Sequence, residues 1–331
     1  YTGNGSGRDI TGVGFSPDWI WGKARNHGYS HWVYDSVRGA EKLIRPDLTN
    51  AEATQGQGVT AFLTDGFTLG TTDDHNENNK TFVSWNWLAG TAFSNDASAT
   101  SVGTIDSTGQ VNTKAGFSII SYTGSGSNAT VAHGLGVAPS MVWIKSRVAT
   151  SADGNWLVYA KTGSIDETDY LLLNSTGAVT DEAGAFNDTA ATTTTFSVGT
   201  FADLNQSSKT YIAYCFANVE GYSKVGTYKG NGNADGPFIF TGFRPAWVLF
   251  KGSTQASNWC ILDNKRSPFN LADDVLLSNA TNTEATNLSD VDFLSNGIKI
   301  RDTVSNDTNI NGQSYIYLAF AEQPFKYANA R

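Results

Sequence analysis

Tyr122-Thr123-Gly124-Ser125-Gly126 decides the fold, because nearly the same residues stand at Tyr1-Thr2-Gly3-Asn4-Gly5 and again at Tyr228-Lys229-Gly230-Asn231-Gly232. Working outward from each copy, the same landmarks follow in the same order. A proline step comes next, at Phe15-Ser16-Pro17, Val137-Ala138-Pro139 and Phe243-Arg244-Pro245. Six residues past each proline sits a lysine: Lys23, Lys145 and Lys251. An aromatic stretch with Trp32, Trp156 or Trp259 succeeds it, and Thr81-Phe82-Val83, Thr210-Tyr211-Ile212 or Ser314-Tyr315-Ile316 closes the set. Shared composition does not produce four markers in a fixed order three times, so the chain reads as three tandem repeats.

Helical periodicity is nearly absent. Short apolar runs bounded by Gly, Asn, Asp, Ser and Thr read as strands. The closing stretch alternates, with Ile212, Tyr214 and Phe216 on one face. The same parity gives Val83, Trp85 and Trp87 in the first repeat and Ile316, Leu318 and Phe320 in the third. Successive strand side chains point oppositely, so these triplets are predicted to face the cores. Asn-Gly pairs at 4–5, 231–232, 296–297 and 311–312 supply tight turns. The expected fold is all-β: three tandem β-sandwich or jelly-roll-like repeats of roughly 105 residues each. The expected boundaries are 1–90, 114–219 and 220–331 with a C-terminal tail, and 91–113 is a linker or an extra strand. The second and third repeats carry a strand before the Tyr-x-Gly turn, at 116–120 and 221–225. The first repeat lacks this opening strand, which reads as the ordered or processed part of a longer polypeptide.

The net charge is −9, and no Lys/Arg run could neutralise successive phosphates, which argues against a nucleic-acid partner. No apolar run reaches the ~20 residues of a membrane span, so membrane insertion is not expected. Cys215 and Cys260 are too few for a disulfide framework or a zinc site and read as buried free thiols. His27, His31, His75 and His133 show no metal spacing. Asp73-Asp74 with Glu77, Asp181-Glu182 and Asp273-Asp274 fall in loops and offer no carboxylate pair facing across a sugar. Asn231 to Gly236 resembles a calcium loop but lacks the Glu at the twelfth position, so a turn is expected. No catalytic, cofactor-binding or metal-binding residue is assigned, no cofactor is expected, and the chain reads as a non-enzyme. Among the nine tryptophans, Trp32, Trp156 and Trp259 occupy matching positions and are assigned to the core. Trp21 and Trp87 are less evenly matched and are the candidate surface aromatics for stacking on sugars or anchoring an interface.

The passage Gly14-Phe15-Ser16-Pro17-Asp18-Trp19-Ile20-Trp21, followed by Asp35-Ser36-Val37-Arg38-Gly39-Ala40, resembles tail-fibre-type virion proteins of marine tailed bacteriophages. Ala115 to Ile120, His133 to Pro139 and the ending Tyr317 to Lys326 carry the same resemblance along the chain. It implies location in the extracellular phage particle and a non-enzymatic role, and it supplies no ligand-binding residue. A tail fibre or appendage gripping the host surface by multivalent contacts is the leading expectation. Its partners would be other virion proteins and a host surface glycan or protein, and its expected assembly is a homotrimer. Loops of unequal length at 91–113 and 272–292 favour host contact. The alternative is a capsid decoration or tail-sheathing protein contacting only virion proteins, and a third reading is a polysaccharide depolymerase.

Overall fold

The computed structural model describes residues 1–150, 153–286, 288–303 and 307–322. Strand accounts for 42% and helix for 5%, so the fold is all-β. Three stretches of chain, here the first, second and third segments, build similar sheets. In each, a lysine strand (Trp19–Ala24, Met141–Ser146, Pro245–Gly252) lies between a return strand (Trp32–Asp35, Trp156–Ala160, Trp259–Asp263) and a closing strand (Phe82–Trp87, Thr210–Phe216, Ser314–Ala321). All these pairings are antiparallel and their registers coincide. Lys23 faces Val83, Lys145 faces Ile212 and Lys251 faces Ile316. An opening strand covers the far side of the closing strand in the second (Phe117–Thr123) and third (Ser223–Lys229) segments. In the first segment the closing strand is the edge of its sheet.

One face of each sheet packs on a second sheet to make a sandwich. In the first segment Ile20, Trp32 and Tyr34 meet Val59, Phe67 and Leu69. In the second, Val142, Ile144 and Leu157 meet Val131, Phe196 and Val198. Val248, Phe250 and Cys260 meet Ile239, Phe293 and Ile298 in the third. The opposite faces converge on one another in a single cluster drawn from all three segments. Ring centroids of Trp19 and Trp143 lie 5.9 Å apart, those of Trp87 and Trp247 5.6 Å, and those of Phe216 and Phe320 6.1 Å. Each large side chain sequestered there contributes on the order of 1.5–3 kcal/mol. The predicted triplets therefore face this shared core rather than the interiors of separate sandwiches. Ile212, Tyr214, Phe216, Ile316, Leu318, Phe320, Trp85 and Trp87 are buried, and Val83 is only half-buried.

One sequence match shifts by a residue. Trp156 pairs with Lys145 and Trp259 with Lys251, but Trp32 pairs with Gly22. Trp32 thus points into the first sandwich, and His31 takes the place across from Lys23. A one-residue offset exchanges the faces of a strand. The stretch 91–113 is also more than a linker: Thr91–Asn95 and Ser107–Asn112 extend the second segment's sheet beyond its opening strand. The stretch 272–292 is tied down by bridges between Ala272 and Val291 and between Val275 and Ala285. The tail after residue 322 lies outside the described residues.

The Tyr-x-Gly-x-Gly turns have a common physical cause. A Cβ on Gly3, Gly124 or Gly230 would come within 2.1, 2.4 or 2.3 Å of a carbonyl oxygen. Gly5, Gly126 and Gly232 adopt φ of +67°, +77° and +66°. A buried asparagine five residues before each closing marker clamps the turn. The amide of Asn76 donates to Ser6 O and Gly70 O, that of Asn205 to Ser127 O and Gly199 O, and that of Asn309 to Asn233 O and Asp302 O. Sequence inspection missed these residues, although their identical spacing before Thr81, Thr210 and Ser314 was available.

Candidate interaction surface

The three segments close on one another in a ring. Trp156 Nε1 of the second donates to Arg45 O of the first at 2.8 Å, and Trp259 Nε1 of the third donates to Leu172 O of the second at 2.9 Å. His31 completes the cycle. Its Nδ1 accepts from Trp21 Nε1 at 3.0 Å, so its proton sits on Nε2, which donates to Leu277 O of the third at 2.9 Å. Burial first, and then the charge of Lys23, hold this imidazole well below its ordinary pKa. The fully buried lysines add further ties. Lys145 Nζ reaches Thr49 O of the first segment and Gly154 O, and Lys251 Nζ reaches Thr176 O of the second and Ser257 O. Lys23 Nζ donates to Ala24 O and His27 O within its own segment. Desolvation lowers all three ammonium groups to about 8.

Two of the three joints also carry a charged cluster. Between first and second, Glu52 meets Arg147 at 2.9 Å and Arg38 at 3.3 Å, Arg38 meets Asp35, and Tyr214 Oη donates to Asp35 at 2.7 Å. Between third and first, Glu284 meets Arg25 and Arg266, Arg266 meets Asp263, and Trp85 Nε1 donates to Asp263 at 3.0 Å. The corresponding positions at the joint of second and third are Val179, Ser253, Ala160, Gly163 and Leu318. Of the contacts made by these five positions, the backbone one is kept there, from Val179 N to Ser253 O at 2.9 Å, matching Glu52 N to Arg147 O and Glu284 N to Arg25 O.

This arrangement consumes the residues that looked available. Trp21 is fully buried and Trp87 is 6% exposed, both inside the shared core, so neither is a surface aromatic. Their inward parity was written in the alternation of the strands. Asp74 is held by Arg45 and His75, Glu182 caps a short helix, and Asp274 lies 3.6 Å from Arg25. The loop at 231–236 is a turn in which Asn231 and Asn233 accept from backbone amides, and Asp235 pairs with Lys299. Cys215 and Cys260 are buried free thiols whose pKa values burial raises. Among the described residues no group of three His, Cys, Asp or Glu side chains is placed to hold a metal ion. No described helix is long and apolar enough to cross a membrane.

The aromatic groups that do reach solvent are elsewhere. Phe238 and Phe240 are 47% and 58% exposed on the outer sheet of the third segment, and Phe269 is 82% exposed. Phe238 and Phe240 alternate with buried Ile239, so both rings project from the face opposite the sandwich core. The rim is charged and paired: Lys299 with Asp235, Arg301 with Asp292, and Lys224 lying 5.3 Å from the Phe240 ring. Asn270, next to Phe269, is fixed by two hydrogen bonds to the Phe293 backbone. The equivalent positions of the first segment are Asp9 and Thr11, so the first segment does not repeat this aromatic face. Sequence reading passed over it because phenylalanines in short strands read as core.

A family model described as a domain of unknown function, DUF7483, matches residues 1–324. The chain belongs to that family. The DUF7483 match spans all three segments and the aromatic face alike. No curated protein and no solved structure matches this DUF7483 chain.

Proposed function

We propose that this chain is a structural protein of a tailed-phage particle, a tail fibre or similar appendage that contacts the host surface. The segments are read as three copies of one unit, closed into a rigid head. The observation that carries the contact role is the pair of exposed rings Phe238 and Phe240 on one sheet face, flanked by paired charges. Aromatic rings held on a sheet stack on sugar faces or anchor protein contacts without much ordering cost. One shallow face binds weakly, and several heads in one particle multiply that affinity through effective concentration. A homotrimer of such heads would present three faces together. The partners are a host surface glycan or protein on one side and other virion proteins on the other.

Retention of the labelled chain on candidate host cells tests this. Saturable retention, reduced at least about tenfold by Phe238→Ser with Phe240→Ser, is the expected result, as loss of a hot-spot pair requires. Retention that survives the double variant would rule out this face as the contact. The alternative is a capsid decoration or tail-sheathing protein, favoured by the ring itself, in which one chain joins three similar segments side to side. Absence of cell retention by the assembled protein, with binding to purified particles lacking it, would establish that reading.

A further inference from the structure

Two joints of the ring are tied by an indole and the third by an imidazole. Trp156 and Trp259 each donate Nε1–H to a neighbouring segment's carbonyl, and His31 holds the matching place across from Lys23. An indole N–H is a donor only, whereas an imidazole gains a proton between about pH 5 and 8. The joint of third and first segments is therefore chemically unlike the other two.

His31 is fully buried and both ring nitrogens are committed. Nδ1 accepts from Trp21 Nε1 at 3.0 Å, and Nε2 donates to Leu277 O at 2.9 Å. A second proton can be added only at Nδ1, where it meets the indole N–H of Trp21 head-on. Trp21 is fully buried too, so neither group can turn to water. The charged ring would also face Lys23 and Arg266, two cations that oppose it. Its own partners are an indole and a carbonyl, with no carboxylate between them to compensate. Around it, Asp47 accepts from His31 N at 3.2 Å and Arg45 donates to His31 O at 3.4 Å, both on the backbone. Farther along the joint, Asp274 and Glu284 lie against Arg25, while Asp263 and Glu284 lie against Arg266.

We infer that His31 is an acid latch of the ring: a proton on Nδ1 parts the third segment from the first while the other two joints stay closed. The sign follows from linkage. Burial holds the closed form well below the ordinary 6.5, so below that pH the opened joint takes up the proton first. Closure is at full strength above 6.5 and weakens as the pH falls. The same joint covers the contacts of Trp21 and Trp85 with Trp247, whose ring centroids lie 6.4 and 6.3 Å away, so acid uncovers an aromatic surface of the shared core.

Three matching amides report on the three joints: Glu52 N to Arg147 O, Val179 N to Ser253 O and Glu284 N to Arg25 O. Their hydrogen exchange in the full chain, corrected for intrinsic rates, is followed from about pH 7 to about pH 5. Opening at Glu284 should rise at least about tenfold relative to Glu52 and Val179, within the tenfold per pH unit that one proton can supply. His31→Trp copies the second segment, where Trp156 holds this place and Trp143, at the position of Trp21, is buried without a hydrogen-bond partner among the described residues. His31→Trp with Trp21→Leu copies the third, where Trp259 goes with buried Leu249. Either variant that folds should keep Glu284 in step with the other two amides over the whole range. His75 and His133 are buried in every one of these proteins, so their titration is common to all. If neither variant folds, the indole N–H resonance of Trp21 in the unaltered chain decides, and it should lose protection with the same midpoint as Glu284. Three amides that respond alike to acid, a selective response that survives in a variant, or a Trp21 indole still protected at about pH 5 would each overturn the inference.

Discussion

Lys23, Lys145 and Lys251 show how much one buried side chain can determine. Each ammonium is desolvated and spends its protons on backbone carbonyls, two of the three across a joint. Their folded values near 8 lie below the ordinary 10.5, so between those limits the unfolded chain binds more protons. Stability therefore rises with pH as it climbs through 8. The buried Cys215 thiol, raised from 9.0 to about 12, and tyrosines such as Tyr222, raised from 10.0 to about 12, act in the opposite sense. Their unfolded forms ionise first, so stability falls again above about pH 9–10. The expected profile is a Tm that rises from pH 8 to 9 and declines toward 11. Lys145→Met should flatten part of the rise and cost about 1–3 kcal/mol, because Thr49 O and Gly154 O lose their donor. A Tm flat from pH 8 to 9, unchanged in slope by that variant, would refute the assignment. The lysines were legible in sequence as a spacing after proline. Their burial was not, because a lysine on a strand reads as solvated until its carbonyl partners, up to 96 residues away, are placed.

Strands were more legible than the contacts between them. Alternation in 81–87, 210–216 and 314–320 located the closing strands and their inward faces, since a period of two depends on neighbours alone. It could not separate Trp32 from His31, because both are bulky and the choice rests on a one-residue register set across the sheet. The joints were less visible still. Glu52 and Arg147 lie 95 residues apart and Arg25 and Glu284 lie 259 apart, so no window of sequence holds both partners. The apolar joint of second and third gives the charged ones a built-in control. Arg147 and Arg38 hold Glu52 below the usual carboxylate range against a desolvation that would raise it. Glu52→Val alone leaves Arg147 without its carboxylate while Arg38 keeps Asp35, and should cost about 1–3 kcal/mol. Combining it with Asp35→Ala, Arg38→Gly, Arg147→Ser and Tyr214→Leu reproduces the Val179, Ala160, Gly163, Ser253 and Leu318 set. That variant should recover most of the loss, because apolar replacement of a whole buried ion cluster is often neutral. Urea midpoints for the two proteins decide it: if the multiple variant falls by the sum of its parts, the joints are not interchangeable.

At the scale of the whole molecule, three sandwich cores of ordinary design surround a fourth core that belongs to none of them. Repeated markers in the sequence could announce the units but not this convergence, since a strand with two apolar faces fits a central position in a larger sheet as well as a three-way meeting. Aromatic content was the available hint: Trp19, Trp21, Trp85, Trp87, Trp143, Trp156, Trp247 and Trp259 all enter the shared cluster. Its consequence is cooperative. The segment 114–219 taken alone would expose Phe117, Ile119, Trp143, Trp156, Tyr214 and Phe216 on one face, a contiguous apolar surface beyond the few hundred Å² that a soluble monomer tolerates. The sandwich core on its other face would remain, so the excised segment should be collapsed and self-associating rather than unfolded. The intact chain should melt in one calorimetric transition with calorimetric and van't Hoff enthalpies equal, since opening any one segment uncovers the other two. Two or three resolved transitions, or a monomeric 114–219 with native tryptophan fluorescence, would mean that the segments are stable alone. The shared core would then be only a contact between finished domains. The ring of Trp156, Trp259 and His31 argues against that: each segment places a side chain on its neighbour's backbone, and the third contact closes only when the other two are made.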